Sequence, residues 1–433
     1  MFMNTLSRRA ACLLLALSTA LSLTACGGKK ASDGKADPQG ETSAQVSAEP
    51  SETPAPSETF SPEELSAEPT TPPVNLVPWP TTAVVEHLFF HPIIAYPQWA
   101  WRDAHLSKAD MDGLDDWMVT ADEYWKILEH VYDAGYVLVS MNEVWSEVTD
   151  PATGVTRMQR NVLMLPEGKK PLVISYDDTN YYPYMLEQGF TSKLVLADDG
   201  KVWAECTDPY THETFLTREL DAITGLDLFC EQHPDFSPNG VKGCLSLTGY
   251  QGILGYRTQN DIDIPSTGPQ REAFDANRQK EIEAVKPIVA ALKETGWYFG
   301  SHTWGHIRLS THSMESIQRD TKRWAEEVGS LVGPTSILFY PHGARPDGDH
   351  DQGEDYGPQF KWLQSQGFRI FASVGIESYS QVKKTISAVI CDRLHPDGTT
   401  LRKSRKRYLQ FYKAEDIADR AIRPSRPDFD WEW

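Results

Sequence analysis

Cysteine is scarce in this chain. There are six in 433 residues, and none has C-x-x-C spacing. That excludes a disulfide scaffold and argues against a cysteine-ligated zinc site. Positive charge is also short: 41 Lys and Arg stand against 61 Asp and Glu, a formal net charge of -20. A phosphate backbone needs a basic face, so this balance argues against nucleic acid as a partner. Beyond Leu23 no apolar run is long enough to suggest a membrane span. No internal repeat of about 20–50 residues stands out, which sets solenoids and propellers aside.

What is present begins with a leader. Arg8 and Arg9 precede an apolar run, Ala10 to Leu23, too short for a span and matching a signal h-region. It ends in Leu23-Thr24-Ala25-Cys26-Gly27, which resembles a bacterial lipobox. The expectation is a lipoprotein signal peptide over 1–26, with Cys26 as the lipidated first mature residue. An ordinary secretory signal is the alternative. Residues 27–78 are rich in Ser, Thr, Pro, Glu and Ala, with hardly an aromatic among them. Such a segment cannot bury enough apolar surface to offset its ordering entropy, so a disordered tether is expected. Lipid and tether together place the rest on the extracellular face of a bacterial cytoplasmic membrane, anchored rather than spanning. Cys206, Cys230, Cys244 and Cys391 lie beyond the leader. Cys230 with Cys244 is a possible disulfide, and buried free thiols are equally open.

Residues 79–433 read as one α/β domain. A helix, a glycine stop and a short apolar strand recur. Thr120-Ala121-Asp122-Glu123 is a capping box, and Tyr124, Ile127, Leu128 and Val131 give a helical apolar stripe. Gly135 stops the helix, and a strand follows over 136–140. The same unit recurs at 278–300, 313–340 and 360–372. Helices alternating with apolar strands predict a parallel sheet covered by helices. Asp177-Asp178, His302 with His306, and Tyr340-Pro341-His342-Gly343 each follow a strand. All three therefore fall at the C-terminal ends of strands, where parallel α/β sheets build their sites. Residues 191–271 carry weaker signals and read as an insertion near the site's mouth, with short strands.

The residue types suit metal-assisted hydrolysis. His302 and His306 at i, i+4 share a face if the chain turns helical after its strand. Asp178 as a third ligand would leave positions open for water and substrate. Asp177 would then be free to accept a proton from the activated water. The bland alternatives are surface histidines and an Asx turn. His91, in Leu88-Phe89-Phe90-His91-Pro92, reads first as a core or strand-end histidine and second as a site residue. Trp99, Trp101, Trp304 and Tyr182 read first as core aromatics, with Trp304 and Tyr182, which flank the candidate ligands, the two candidates for stacking on a ligand. Arg402 to Arg407 reads as a solvated face.

Leu172 to Asp178 resembles the T/S-F-D-D signature of polysaccharide deacetylases (carbohydrate esterase family 4, the NodB-homology domain). Ser301-His302-Thr303-Trp304-Gly305-His306 is similar to that family's H-S/T-x-x-H segment, and Phe339-Tyr340-Pro341-His342-Gly343 to its third motif. The three keep the family's order. The resemblance implies a distorted (β/α) barrel that removes N-acetyl, or in some members O-acetyl, groups from polysaccharides. It implies Asp177 as base and Asp178, His302 and His306 as ligands of a divalent ion. Zinc comes first, with cobalt, manganese and nickel as alternatives. It also implies the His342 backbone N–H as oxyanion donor and His395 as general acid, with a solvated histidine beside Pro396-Asp397-Gly398 as the alternative for His395. The third-motif arginine that orients the base is replaced by Phe339, and Arg393 or Arg345 is the expected substitute. The partner implied is an acetylated glycan such as peptidoglycan or a chitin-like oligomer, acted on by a monomer. A catalytically inactive glycan-binding lipoprotein is the main rival. A non-haem iron oxygenase also uses two His and one carboxylate, but has no need of the second aspartate.

Overall fold

Apolar strands ending in polar residues converge on one end of a barrel. The computed structural model describes residues 75–433, apart from 104, 347–355, 376–378, 384–386, 404, 428, 430 and 433. The expected leader, Cys26 and nearly all of the tether lie outside the described residues. Strand Leu76–Trp79 pairs antiparallel with Leu163–Pro166.

Seven strands make the barrel: β1 Glu86–Phe90, β2 Lys170–Asp177, β3 Cys244–Leu247, β4 Tyr298–Ser301, β5 Ile337–Phe339, β6 Ile370–Val374 and β7 Ala388–Arg393. Each pairs in parallel with the next. The ring closes through a parallel bridge between Leu88 and Leu394. There the Phe89 N–H donates to the Leu394 carbonyl and the Leu394 N–H to the His87 carbonyl, each at 2.9 Å. Strand Tyr136–Leu138 extends the start of β2 in parallel. Strand Tyr379–Lys383 pairs antiparallel with β7.

Side chains alternate across each strand, which separates two cores. Val173, Cys244, Ile337, Phe339, Ile370, Ala372, Val389 and Cys391 fill the barrel. Leu172, Ile174, Tyr176, Leu245 and Leu247 point the other way, onto the helical layer. The interior is tight. A Cβ on Gly300 would lie 2.4 Å from the Phe339 ring, so only glycine fits beside that ring.

The helices used below are α1 Lys108–Trp117, α2 Ala121–Asp133, α3 Ala222–Gln232, α4 Pro269–Glu294, α5 Met314–Trp324, α6 Pro358–Ser365 and α7 Gly398–Arg402. The capping box at Thr120 forms as expected. Glu123 also binds Arg423 at 2.7 Å. Arg423 in turn reaches Asp115 of α1 at 3.0 Å, and Arg402 reaches Asp115 at 2.9 Å. These buried charges fasten the C-terminal segment to α1 and α2. Arg402 is therefore part of the core and not of a solvated face. Arg407, half-buried, pairs with Glu86.

Residues 191–271 are more than an insertion. An antiparallel sheet of Lys193–Leu196, Val202–Thr207 and Thr214–Thr217, followed by α3, forms an outer layer. Cys244–Leu247 returns to the barrel as β3, between β2 and β4. All four cysteines beyond the leader are buried free thiols, so Cys230 and Cys244 are not paired. Among the described residues no helix is long and apolar enough to cross a membrane.

Candidate active site

β2 ends at Asp177, and Asp178 turns the chain. Asp178 adopts φ 57° and Tyr181 φ 54°, the left-handed region that non-glycine residues seldom occupy. This reversal brings two consecutive carboxylates to one cleft, although strand neighbours normally point apart. Asn180 pins the turn by donating to the Thr248 carbonyl at 3.0 Å. Unusual backbone recurs around the site: Thr303 has φ 59°, His306 φ 51° and His342 φ 59°. Such outliers persist only where their surroundings over-determine them.

His302 and His306 do not lie on a helix, contrary to the sequence expectation. The segment is a bent loop after β4. Asp320 of α5 holds it, accepting from the Trp304 N–H and the Gly305 N–H at 2.7 Å each. The Ile307 N–H donates to the Thr303 hydroxyl at 3.0 Å. The turn delivers both imidazoles to Asp178. His306 Nε2 lies 3.6 Å from Asp178 Oδ2. One ligand atom from each of Asp178, His302 and His306 falls within 4.8 Å of the other two.

These residues fit a divalent ion. His302 Nδ1 lies 3.1 Å from the Phe339 carbonyl. A carbonyl can only accept, so the proton is on Nδ1 and Nε2 offers its lone pair. This is the outer hydrogen bond that metal-ligating histidines normally carry. Burial lowers the pKa of both His302 and His306, favouring the neutral form a metal requires. Burial raises Asp178 to about 6 in the protein alone, a penalty that a cation would relieve.

Asp177 has a different environment. Arg393, fully buried, grips it with two parallel bonds of 2.8 Å. The guanidinium also donates to the Ser175 hydroxyl at 3.1 Å and the Ser373 carbonyl at 3.3 Å. It lies between two rings, 4.1 Å from the Phe89 centroid and 4.6 Å from that of Phe339. Burial alone would raise the Asp177 pKa, but the charge and hydrogen bonds of Arg393, together with His302 and His91, outweigh it and hold the carboxyl well below the usual range. Asp177 is therefore an ionised acceptor, 3.8 Å from His302 Nε2. Arg345 is not the partner of Asp177; it pairs with Asp392 at 2.9 Å.

Across the cleft, β7 runs into His395. Its Nδ1 lies 3.0 Å from Asp397 Oδ2, and its Nε2 lies 3.0 Å from His91 Nδ1. Phe89 stacks on the ring, with centroids 4.3 Å apart. Asp397 also caps α7, accepting from the Thr400 N–H at 2.9 Å. The Tyr408 hydroxyl donates to the His395 carbonyl at 2.8 Å. The cleft, about 890 Å³, brings together Asp177, His302, His306, His342, His91 and His395. The ring centroids of His342 and His306 are 4.5 Å apart. Burial, then His306, lowers the His342 pKa to about 4.

Residues 272–359 match the family model described as polysaccharide deacetylase. This stretch runs from α4 through β4, the His302–His306 loop, α5, β5 and His342. No curated protein matches the chain. A solved Streptococcus pyogenes deacetylase in complex with acetate is similar at 12% identity and a TM-score of 0.36, over 73% of this chain and 93% of that one. A polysaccharide deacetylase from Bacillus cereus is similar at 11% identity and a TM-score of 0.39, over 78% and 69%.

The double aspartate and the residues from 393 to 397 lie outside the matched stretch and join it only in space. Two aromatic candidates are structural. Trp304 packs on Gly249 and under Arg323, and donates to Glu327 at 3.1 Å. Tyr182 is buried against Thr248 at 2.8 Å. Neither lines the cleft; Trp117, half-exposed, does. Sequence reasoning missed Asp320 and Asp397. Asp397 had a visible signal, two positions after His395 and ahead of a short helix. Asp320 had none, because its partners are backbone N–H groups of a distant loop.

Proposed function

We propose that this chain is a metal-dependent hydrolase that removes N-acetyl groups from a cell-surface or extracellular polysaccharide. It acts at the outer face of the cytoplasmic membrane, held there by lipid on Cys26. One observation carries the chemistry: two adjacent carboxylates have opposite partners. Asp178 groups with His302 and His306, whereas Asp177, 3.8 Å from His302 Nε2, is gripped by Arg393. A ligand set with a separate, oriented base is what hydrolysis needs.

A bound divalent ion, zinc first, would supply Lewis acidity and a water of lowered pKa. Asp178, His302 and His306 would hold it. Asp177, kept ionised by Arg393, accepts the water's proton. The His342 backbone N–H is assigned to the developing oxyanion. The His395–Asp397 side of the cleft supplies the proton that the departing sugar nitrogen requires. The inactive glycan-binding alternative rested on the missing third-motif arginine and the uncertain general acid. Arg393 grips Asp177 from β7, which supports turnover.

The test is acetate release from N-acetylglucosamine oligomers and peptidoglycan by the purified chain, with zinc, cobalt or manganese added. Bound metal is measured in parallel. Asp177→Asn is expected to keep the metal and lose about 10²–10⁴-fold in rate. His302→Ala is expected to lose both. Metal bound with no release from any acetylated glycan would favour the binding protein. Absence of metal affinity would end the hydrolase reading.

A further inference from the structure

The hydrogen-bond chain across the cleft has an end, and it is not His395. Asp397 engages His395 Nδ1, and His91 engages His395 Nε2, each at 3.0 Å. Both nitrogens of His395 are occupied. Phe89 stacked on its face at 17° resists any swing of the ring. His91 Nε2 has no hydrogen-bond partner among the described residues. Its ring is also the more exposed of the two, and it lines the same cleft as Asp177 and His302. The closing bridge of the barrel brings β1 beside the end of β7 and so sets the two rings together. His91 then continues into Pro92, which cannot donate to a ladder and ends the strand.

We infer that His91 Nε2 is the atom that delivers the proton to the leaving nitrogen, with His395 and Asp397 as positioning residues that recharge it. This rests on the deacetylase reading above. Before the step, His395 carries the extra proton, with Nδ1–H toward Asp397 and Nε2–H toward His91 Nδ1. His91 is neutral and protonated on Nε2. As the C–N bond breaks, its electron pair passes to nitrogen, which takes the His91 Nε2 proton. The His395 Nε2 proton moves to His91 Nδ1. Both rings finish neutral, acetate leaves, and solvent returns one proton to the pair while Asp177 releases the one it took from water. Burial, then His395, pulls the His91 pKa down to about 3. His91 accordingly acts as a neutral relay, while Asp397 faces the His395 ring from the other side.

Two substrates separate the roles. An N-acetylglucosamine oligomer has a nitrogen that must be protonated to leave. p-Nitrophenyl acetate has a phenolate that leaves without a proton. With the purified full chain and zinc, His91→Gln is expected to lower kcat/KM on the amide about 10²–10⁴-fold and leave the ester nearly unchanged. His395→Gln is expected to behave alike. His91→Ala should recover amide turnover with added imidazole, because the vacated site opens on the cleft; this arm also serves if circular dichroism shows His91→Gln unfolded. Amide turnover retained by His91→Gln but lost by His395→Gln would overturn the inference in favour of direct donation by His395. Equal loss on both substrates, or no imidazole rescue, would reduce His91 to a structural residue. Wild-type protein that releases acetate from neither substrate would refute the deacetylase reading itself, and this inference with it.

Discussion

Removing Arg393 should damage fold and activity through one charge. In Arg393→Met the side chain still fills the slot between Phe89 and Phe339, but Asp177 loses both 2.8 Å bonds. Asp177 is 2% exposed, so water cannot replace the guanidinium. Breaking one side of a buried ion pair typically costs about 3–5 kcal/mol. With an unfolding entropy of about 2.1 cal/mol/K per residue over Pro72–Trp433, that lowers Tm by about 4–7 °C. Arg393→Lys is expected to recover little, since an ammonium cannot reproduce the two-pronged grip or the ring stacking. The decisive variant is Arg393→Met with Asp177→Asn. Deleting both charges removes the stranded carboxylate, so most of the lost stability should return while acetate release does not. Thermal and urea unfolding by circular dichroism, beside the acetate assay, read both effects. If the double variant is no more stable than Arg393→Met, the cost is not an uncompensated Asp177 charge and the reasoning fails.

Two further outcomes follow from the supports of the site. Asp320→Ala frees the Trp304 and Gly305 N–H groups; it should cost about 1–3 kcal/mol and weaken zinc binding by calorimetry, although Asp320 is no ligand. Unchanged zinc affinity would show that the loop holds itself. Gly300→Ala places a Cβ 2.4 Å from the Phe339 ring and should cost about 1–3 kcal/mol through overpacking, read by urea unfolding; a fully stable variant would show that the ring can give way.

Much of the fold was legible because local signals and tertiary demand agree. The capping box at Thr120, the stop at Gly135 and the strand after it form as read. The strand β3 was not legible. Its four residues, Cys-Leu-Ser-Leu, are too few to show a period, and half of them face the helical layer. The helix Pro269–Glu294 begins nine residues before its expected start at Arg278, because its polar first turns show no apolar stripe. The His302–His306 spacing pointed to a shared ligand role through the wrong geometry. A left-handed loop fastened by Asp320 does what a helix was expected to do. Arg402 read as solvated because its partner, Asp115, lies 287 positions away.

The sequence by itself determined which chemistry was available. Ligand types, a spare carboxylate, and their placement after strands all follow from residue identity and short-range pattern. Tertiary structure decided how those groups divide the work. Arg393 reaches Asp177 across 216 positions and His91 meets His395 across 304, contacts that exist only because the barrel closes. Burial then acts on what closure has joined. The same low-dielectric interior leaves one aspartate ionised against an arginine and raises the pKa of the next beside two histidines, a difference that no local pattern encodes.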